Sequence, residues 1–273
     1  MSEECGQPPE CIRIALLFFG QPRYLDNPAP YAKHKKFFLD KDFYDVDVYC
    51  HTWWGEDTSE YDYSSWSKIK SCPVDKNAID KIETMYSPAK LIHEPPRKFA
   101  FKDDTQALID ELVKNFKGRS GASLSEFNHH WNKNNSNYSN ILSQLYSIEQ
   151  VCKLCQNSKE EYDFIVLSRL DNNIMEFPQD LRELDTDKFY ISDLHSRFPD
   201  MVYFFGQKFL PSHYFYSKID YIVKKYQWDF WEPSNEAFKY FSVKDFVDNH
   251  FNGSPWIPTR IRVGAVRDMT GLG

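Results

Sequence analysis

The sequence predicts an α/β fold with a mainly parallel central sheet flanked by helices, and three observations predict it. Two apolar runs, Ile12 to Phe19 and Phe164 to Leu167, have the length and near-continuous apolarity of strands covered on both faces. Segments of helical periodicity alternate with strand-like segments, as the crossovers of a parallel sheet require. No internal repeat and no linker-like stretch interrupts the 273 residues, so a single domain spanning 1–273 is expected.

The elements follow in order. "CIRIALLFFG" reads as a buried strand ending at Gly20, and "QPRYLDNP" as a loop broken by Pro22, Asn27 and Pro28. "YAKHKKFFLDKDF" mixes apolar and charged residues as a helix does, with the basic cluster Lys33 to Lys36 on its solvated face. In "YDVDVYCHTWW", Val46, Val48 and Cys50 alternate with Asp45, Asp47 and Tyr49, the period of a strand. Residues 55–73 are polar and Ser-rich and read as a surface loop. "DKNAIDKIETMYSP" forms a short helix capped by Asp75, and "AKLIHE" a third strand. Another helix is expected near Thr105 to Phe116. Ile141, Leu142, Leu145, Ile148, Val151 and Leu154 then place one apolar stripe along a long helix that feeds "EYDFIVLSR", the central strand. "KFYISDL" and "DMVYFFG" are further strands, helices cover Ser212 to Tyr226 and Ser234 to Asn249, and "TRIRVGAVRD" is a last extended stretch.

Composition narrows the functions available. A net charge of −7 with no long basic run argues against a nucleic-acid binder. The run at Ile12 to Phe19 is too short for a membrane span or a signal-peptide core and has no basic segment before it, so a cytoplasmic, soluble protein is expected. The six cysteines fit free thiols, and Cys152 and Cys155 lack the second pair that a zinc site needs. Aromatic residues, 17% of the chain, exceed what a core of this size needs, which leaves some to line a cleft.

Ligands of parallel α/β sheets gather at the carboxyl ends of the strands. Three such ends are unusually polar: "GQPR" at Gly20 to Arg23, "HTWW" at His51 to Trp54 and "SRLDNN" at Ser168 to Asn173. Asp171 stands just beyond a buried strand, so its charge needs a cation or several donors. Asp171 with Asn173 offers two oxygens to a hard ion such as Mn²⁺ or Mg²⁺; the other reading is a turn in which Arg169 pairs with Asp171.

A first strand ending "GQPR", a second reading "VDVYCHTWW", and a helix containing "LSQLYSI" that runs into "YDFIVLSRLD" resemble a family of small glycosyltransferases from bacteria, phages and large viruses, similar to enzymes of the GT-A fold. The resemblance extends over about 200 of the 273 residues and is weakest between Gly55 and Asn140. It implies a GT-A-like domain with a Rossmann-like sheet, a nucleotide-sugar half at about 11–175 and an acceptor half at about 176–273. It implies a nucleotide sugar, a UDP-sugar by expectation, as donor, a glycan or other hydroxyl acceptor, and a D-x-D motif holding the diphosphate through Mn²⁺ or Mg²⁺. Here Arg169, Leu170 and Asp171 fill that motif, or else Asp171, Asn172 and Asn173 do; both frames use Asp171.

On this resemblance Gly20 admits a close backbone approach, Gln21 bonds a base or ribose, and Arg23 reaches a phosphate, as Arg169 does if it meets phosphate charge. His51, Thr52 and Trp53 complete the uridine or ribose pocket, and Gln144 contacts the donor from the long helix. Candidates for the carboxylate that takes the acceptor proton are Asp200, Asp193 and Glu236. A non-catalytic carbohydrate-binding protein that stacks sugars on its aromatic surplus is the alternative. The sequence leaves donor sugar, acceptor, stereochemical course and oligomeric state open.

Overall fold

The computed structural model describes residues 11–62, 71–115, 136–193, 201–226, 235–251 and 256–265. Its strands are β1 (Ile12–Gly20), β2 (Tyr44–Trp53), β3 (Glu60–Asp62), β4 (Ser71–Pro73), β5 (Lys90–Glu94), β6 (Phe164–Ser168), β7 (Asn172–Glu176), β8 (Phe189–Ser192), β9 (Tyr203–Gly206), β10 (Trp256–Thr259) and β11 (Arg262–Ala265). Its helices are α1 (Pro28–His34), which runs on as a π-turn over Lys35–Leu39, α2 (Ala78–Tyr86), α3 (Asp103–Asn115), α4 (Ser136–Ser158), α5 (Phe215–Tyr226) and α6 (Asn235–His250).

Seven strands form one mostly parallel sheet in the order β10-β8-β9-β6-β1-β2-β5. Strands β6, β1, β2 and β5 are mutually parallel, and β9 runs antiparallel to both β6 and β8. The chain leaves β1 toward β2 and β5, then returns to place β6 on the other side of β1. That reversal of direction is a topological switch point, and it opens a crevice above the carboxyl ends of β1 and β6.

Side-chain alternation explains the layers. Ile14, Leu16 and Phe18 join Phe164, Val166 and Phe204 on one face, covered by Phe37, Phe38 and Ile82 from the α1–α2 side. Ala15, Leu17 and Phe19 join Ile165, Leu167 and Phe205 on the other, covered by Leu142, Leu145, Ile148 and Val151 of α4. Both faces of β1 and β6 are thus buried, which is why these strands read as unbroken apolar runs. Each such side chain contributes about 1.5–3 kcal/mol by leaving water.

Several segments differ from their sequence reading. Residues 55–73 are not all loop: β3 pairs antiparallel with β4, because Tyr61, Cys72 and Val74 make a small apolar cluster of their own. In the basic cluster of α1, His34 is fully buried and its Nδ1 lies 2.9 Å from the Tyr86 hydroxyl. The α2 cap position falls on Asn77, and Asp75 instead accepts the Asn77 N–H at 2.9 Å. The C-terminal extended stretch is two strands: β10 joins the main sheet beside β8, and β11 pairs with β7, with buried Ile261 at the break. Both arginines flanking that break are in surface ion pairs, Arg260 with Glu176 and Arg262 with Asp193. Among the described residues no helix is long and apolar enough to cross a membrane.

Candidate functional site

The tip of β1 is held from both sides. Gly20 adopts φ +99°, a left-handed conformation that favours glycine. Its N–H donates to Ser147 Oγ of α4 at 2.9 Å, and its carbonyl accepts from Thr52 Oγ1 of β2 at 2.9 Å. The chain therefore leaves the sheet at a fixed angle into Gln21, whose Oε1 accepts from Arg23 Nε at 2.6 Å.

Gln21 borders a cavity of about 360 Å³ at the carboxyl ends of β1 and β2. Trp53 and Tyr61 line it from the strands, Arg97, Lys98 and Phe99 from the loop after β5, and Ser139 and Ser143 from α4. Trp53 is only 2% exposed, stacks on Tyr146 with ring centroids 5.6 Å apart and meets Phe99 edge-on at 5.7 Å. Its indole N–H has no acceptor among the described residues. A buried donor left unpaired is uncommon in a folded protein.

Beneath the cavity runs a buried polar network. His51 Nδ1 lies 2.8 Å from Ser147 Oγ, and His51 Nε2 lies 3.2 Å from Glu94 Oε1 at the end of β5. A carboxylate only accepts, so Nε2 carries the proton and Nδ1 receives the Ser147 hydroxyl. Burial pushes the His51 pKa down, which keeps the ring neutral. Tyr146 also donates to Glu94, at 3.0 Å, and the Arg97 guanidinium stands 3.7 Å from the same carboxylate. The order serine, histidine, glutamate matches a nucleophile and its base, but Ser147 is fully buried and accepts the Gly20 N–H, so it serves the backbone.

The predicted metal position is arranged differently. Asp171 is fully buried, and its two oxygens accept from Arg169 Nε at 2.8 Å and Arg169 Nη2 at 2.5 Å. His34 feels the charge of the same carboxylate, but burial pushes its pKa down to about 3, so it stays neutral and Arg169 supplies the balancing charge. The chain therefore adopts the paired-turn alternative at Arg169 and Asp171. Asn173 is a residue of β7, in register with Gly264 of β11. Asn172 bonds Ser168 Oγ and the Met201 carbonyl through its amide, and its own carbonyl oxygen has no donor among the described residues. A hard divalent ion that carries a substrate phosphate needs at least one open carboxylate. Both Asp171 oxygens are on Arg169, so its carboxylate is not open to such an ion, and no group of three His, Cys, Asp or Glu among the described residues is placed to hold one.

The remaining predicted residues scatter. His51 and Thr52 are buried beneath the cavity and belong to its support, not to its wall. Gln144 Oε1 accepts from Asn235 Nδ2 at 2.8 Å, which ties α4 to the first turn of α6, where Glu236 sits. Asp193 is exposed and bound to Arg262, which holds its carboxyl below the usual range. Asp200 lies outside the described residues, as does Ser234, the expected cap of α6. Glu94, Arg97, Lys98, Phe99, Tyr146 and Ser147 were not singled out in the sequence. The segment "EPPRKF" carried a signal, since a basic pair and a ring directly follow the third parallel strand, the same carboxyl-end position that marked the other two.

No family model matches the chain, and no curated protein matches it.

Proposed function

We propose that the protein is a GT-A-type glycosyltransferase that takes a nucleotide sugar, a UDP-sugar by expectation, and passes the sugar to a hydroxyl acceptor. The observation that carries this reading is a cavity over the carboxyl ends of β1 and β2, walled by Gln21, Arg97, Lys98 and Phe99, beside the switch point of a Rossmann-like sheet. A base resting against Phe99 at the cavity wall gains an aromatic contact. Gln21 offers amide donors at the same wall, and the Arg23 guanidinium is fixed beside it. Both oxygens of Asp171 are on Arg169, which does not favour a metal-bound diphosphate there, and no step runs through a metal. Of the two candidate carboxylates among the described residues, Asp193 and Glu236, the latter follows Asn235, which bonds Gln144, the neighbour of the cavity residue Ser143. Glu236 is the proposed acceptor-side base.

The test is nucleotide release. Incubated with a panel of UDP- and GDP-sugars and no acceptor, the full chain is expected to hydrolyse one donor slowly, and Trp53→Ala to abolish this. A donor at a hundred times its Kd raises stability by about 2.7 kcal/mol, so a thermal-shift scan finds it before any turnover assay. If no nucleotide sugar gives either release or a shift, the proposal is refuted. Glycan binding indifferent to nucleotide points instead to a carbohydrate-binding protein, in which the cluster of Trp53, Phe99, Tyr146 and Tyr216 serves as the stacking surface.

A further inference from the structure

The cavity wall formed by the loop after β5 is cationic. Arg97 and Lys98 both line it, and among the described residues the one acid beside them is Glu60. The Arg97 guanidinium lies 4.7 Å from the ring centroid of Tyr146 and 5.0 Å from that of Phe99, so two rings flank it. Its ion-pair partner, Glu94, is itself fixed by His51 and Tyr146. From the Gly20 N–H through Ser147, His51 and Glu94 to Arg97, one continuous set of polar contacts runs beneath the ends of β1, β2 and β5. Half of the Arg97 side chain, 51%, stays exposed at the end of it. A guanidinium flanked by rings at the rim of an aromatic cavity presents a planar fork of donors, the geometry that matches phosphate oxygens.

We propose that Arg97 is the cation that meets the diphosphate of the donor, and that donor binding and transfer in this protein require no divalent ion. This rests on the glycosyl-transfer reading above. In the reaction the bond between the sugar carbon and the phosphate oxygen breaks, and its electron pair stays on the diphosphate, which gains one negative charge. The sugar carbon bonds the acceptor hydroxyl oxygen, whose proton passes to a carboxylate. A fixed guanidinium stabilises the charge that develops on the leaving group. Asp171, the carboxylate that would otherwise anchor a metal, already has both oxygens on Arg169. Glu94 is a positioning residue, since it acts through Arg97.

Calorimetry with UDP and with uridine in EDTA tests this on the full chain. Wild type is expected to bind both. Arg97→Gln is expected to weaken UDP about 10- to 100-fold, the loss typical of a charged hydrogen bond, with uridine unchanged. Arg97→Lys keeps the charge without the planar fork and should fall between them, and Glu94→Gln should lower UDP affinity with uridine again unchanged. Arg97 is half exposed, so these variants fold, and the uridine arm checks that the cavity is intact. UDP affinity unaltered in Arg97→Gln, an equal loss for uridine, or binding and release that appear only with added Mn²⁺ or Mg²⁺ would each overturn the inference and leave glycosyl transfer standing. No binding of uridine, UDP or any nucleotide sugar, with or without metal, removes both.

Discussion

Trp53 shows how much one atom can decide. Its ring is buried, packed and legible as core, yet its N–H finds no acceptor among the described residues. Trp53→Phe keeps an aromatic ring and removes only the donor and part of the indole. A neutral hydrogen bond is worth about 1 kcal/mol, so UDP affinity is expected to fall about 5-fold, read by calorimetry. An unchanged Kd would place the indole hydrogen outside the ligand's reach. His51 and Thr52 are the contrasting case. As polar residues at a strand end they read as ligand contacts, but both side chains face inward, where Ser147 and the Gly20 carbonyl satisfy them. Sequence shows that a polar group ends a buried strand; it does not show whether protein or ligand completes its hydrogen bonds. Asp171 makes the same point with a charge, since the arginine two residues earlier supplies its balancing cation.

At the scale of elements, the close approach of β9 to the segment before β8 depends on Gly206. A Cβ built there would stand 1.6 Å from the Thr186 carbonyl oxygen, which is backbone and has no rotamer to change. Gly206→Ala is therefore expected to destabilise the fold by about 3 kcal/mol, the upper end for overpacking, as a lower urea midpoint. A midpoint within error of wild type would mean that this turn yields at little cost. The helix α4 links packing to function. Its apolar stripe covers one face of β1 and β6, while Ser143 lines the cavity and Ser147 holds the tip of β1. The stripe was legible because a period of 3.6 residues is set by the helix itself. The role of Ser147 was not, because its partners come from β1 and β2, roughly a hundred positions away in the chain.

The whole molecule carries a pH dependence set by its histidines. Burial pushes His34 and His213 down to about 3, and lowers His51 as well. In the unfolded chain these rings take up a proton near pH 6.5, which the folded protein refuses. Their contribution is thus complete above about 6.5 and is lost as pH falls toward about 3, at up to about 1.4 kcal/mol per pH unit for each fully buried ring. Below about 4 the salt-bridged carboxylates Asp180 and Asp193, held low by Arg182 and Arg262, add loss in the same direction. Urea unfolding at pH 7, 6 and 5 is expected to show a steady decline before any carboxylate titrates. A flat profile over that interval would show that these rings are open to water.

By itself the sequence determined the strands of the parallel core, the order of helix and strand, and the three polar strand ends, because periodicity and two-sided burial are local properties of the chain. Only the tertiary structure decided which polar residues complete one another. Hydrogen bonds between β1, β2, β5 and α4 turned His51, Thr52 and Ser147 inward and left Trp53 and Arg97 at the cavity, and an ion pair closed over Asp171. A buried polar group takes whichever partner the fold brings within about 3 Å, and that choice is made between elements distant in sequence.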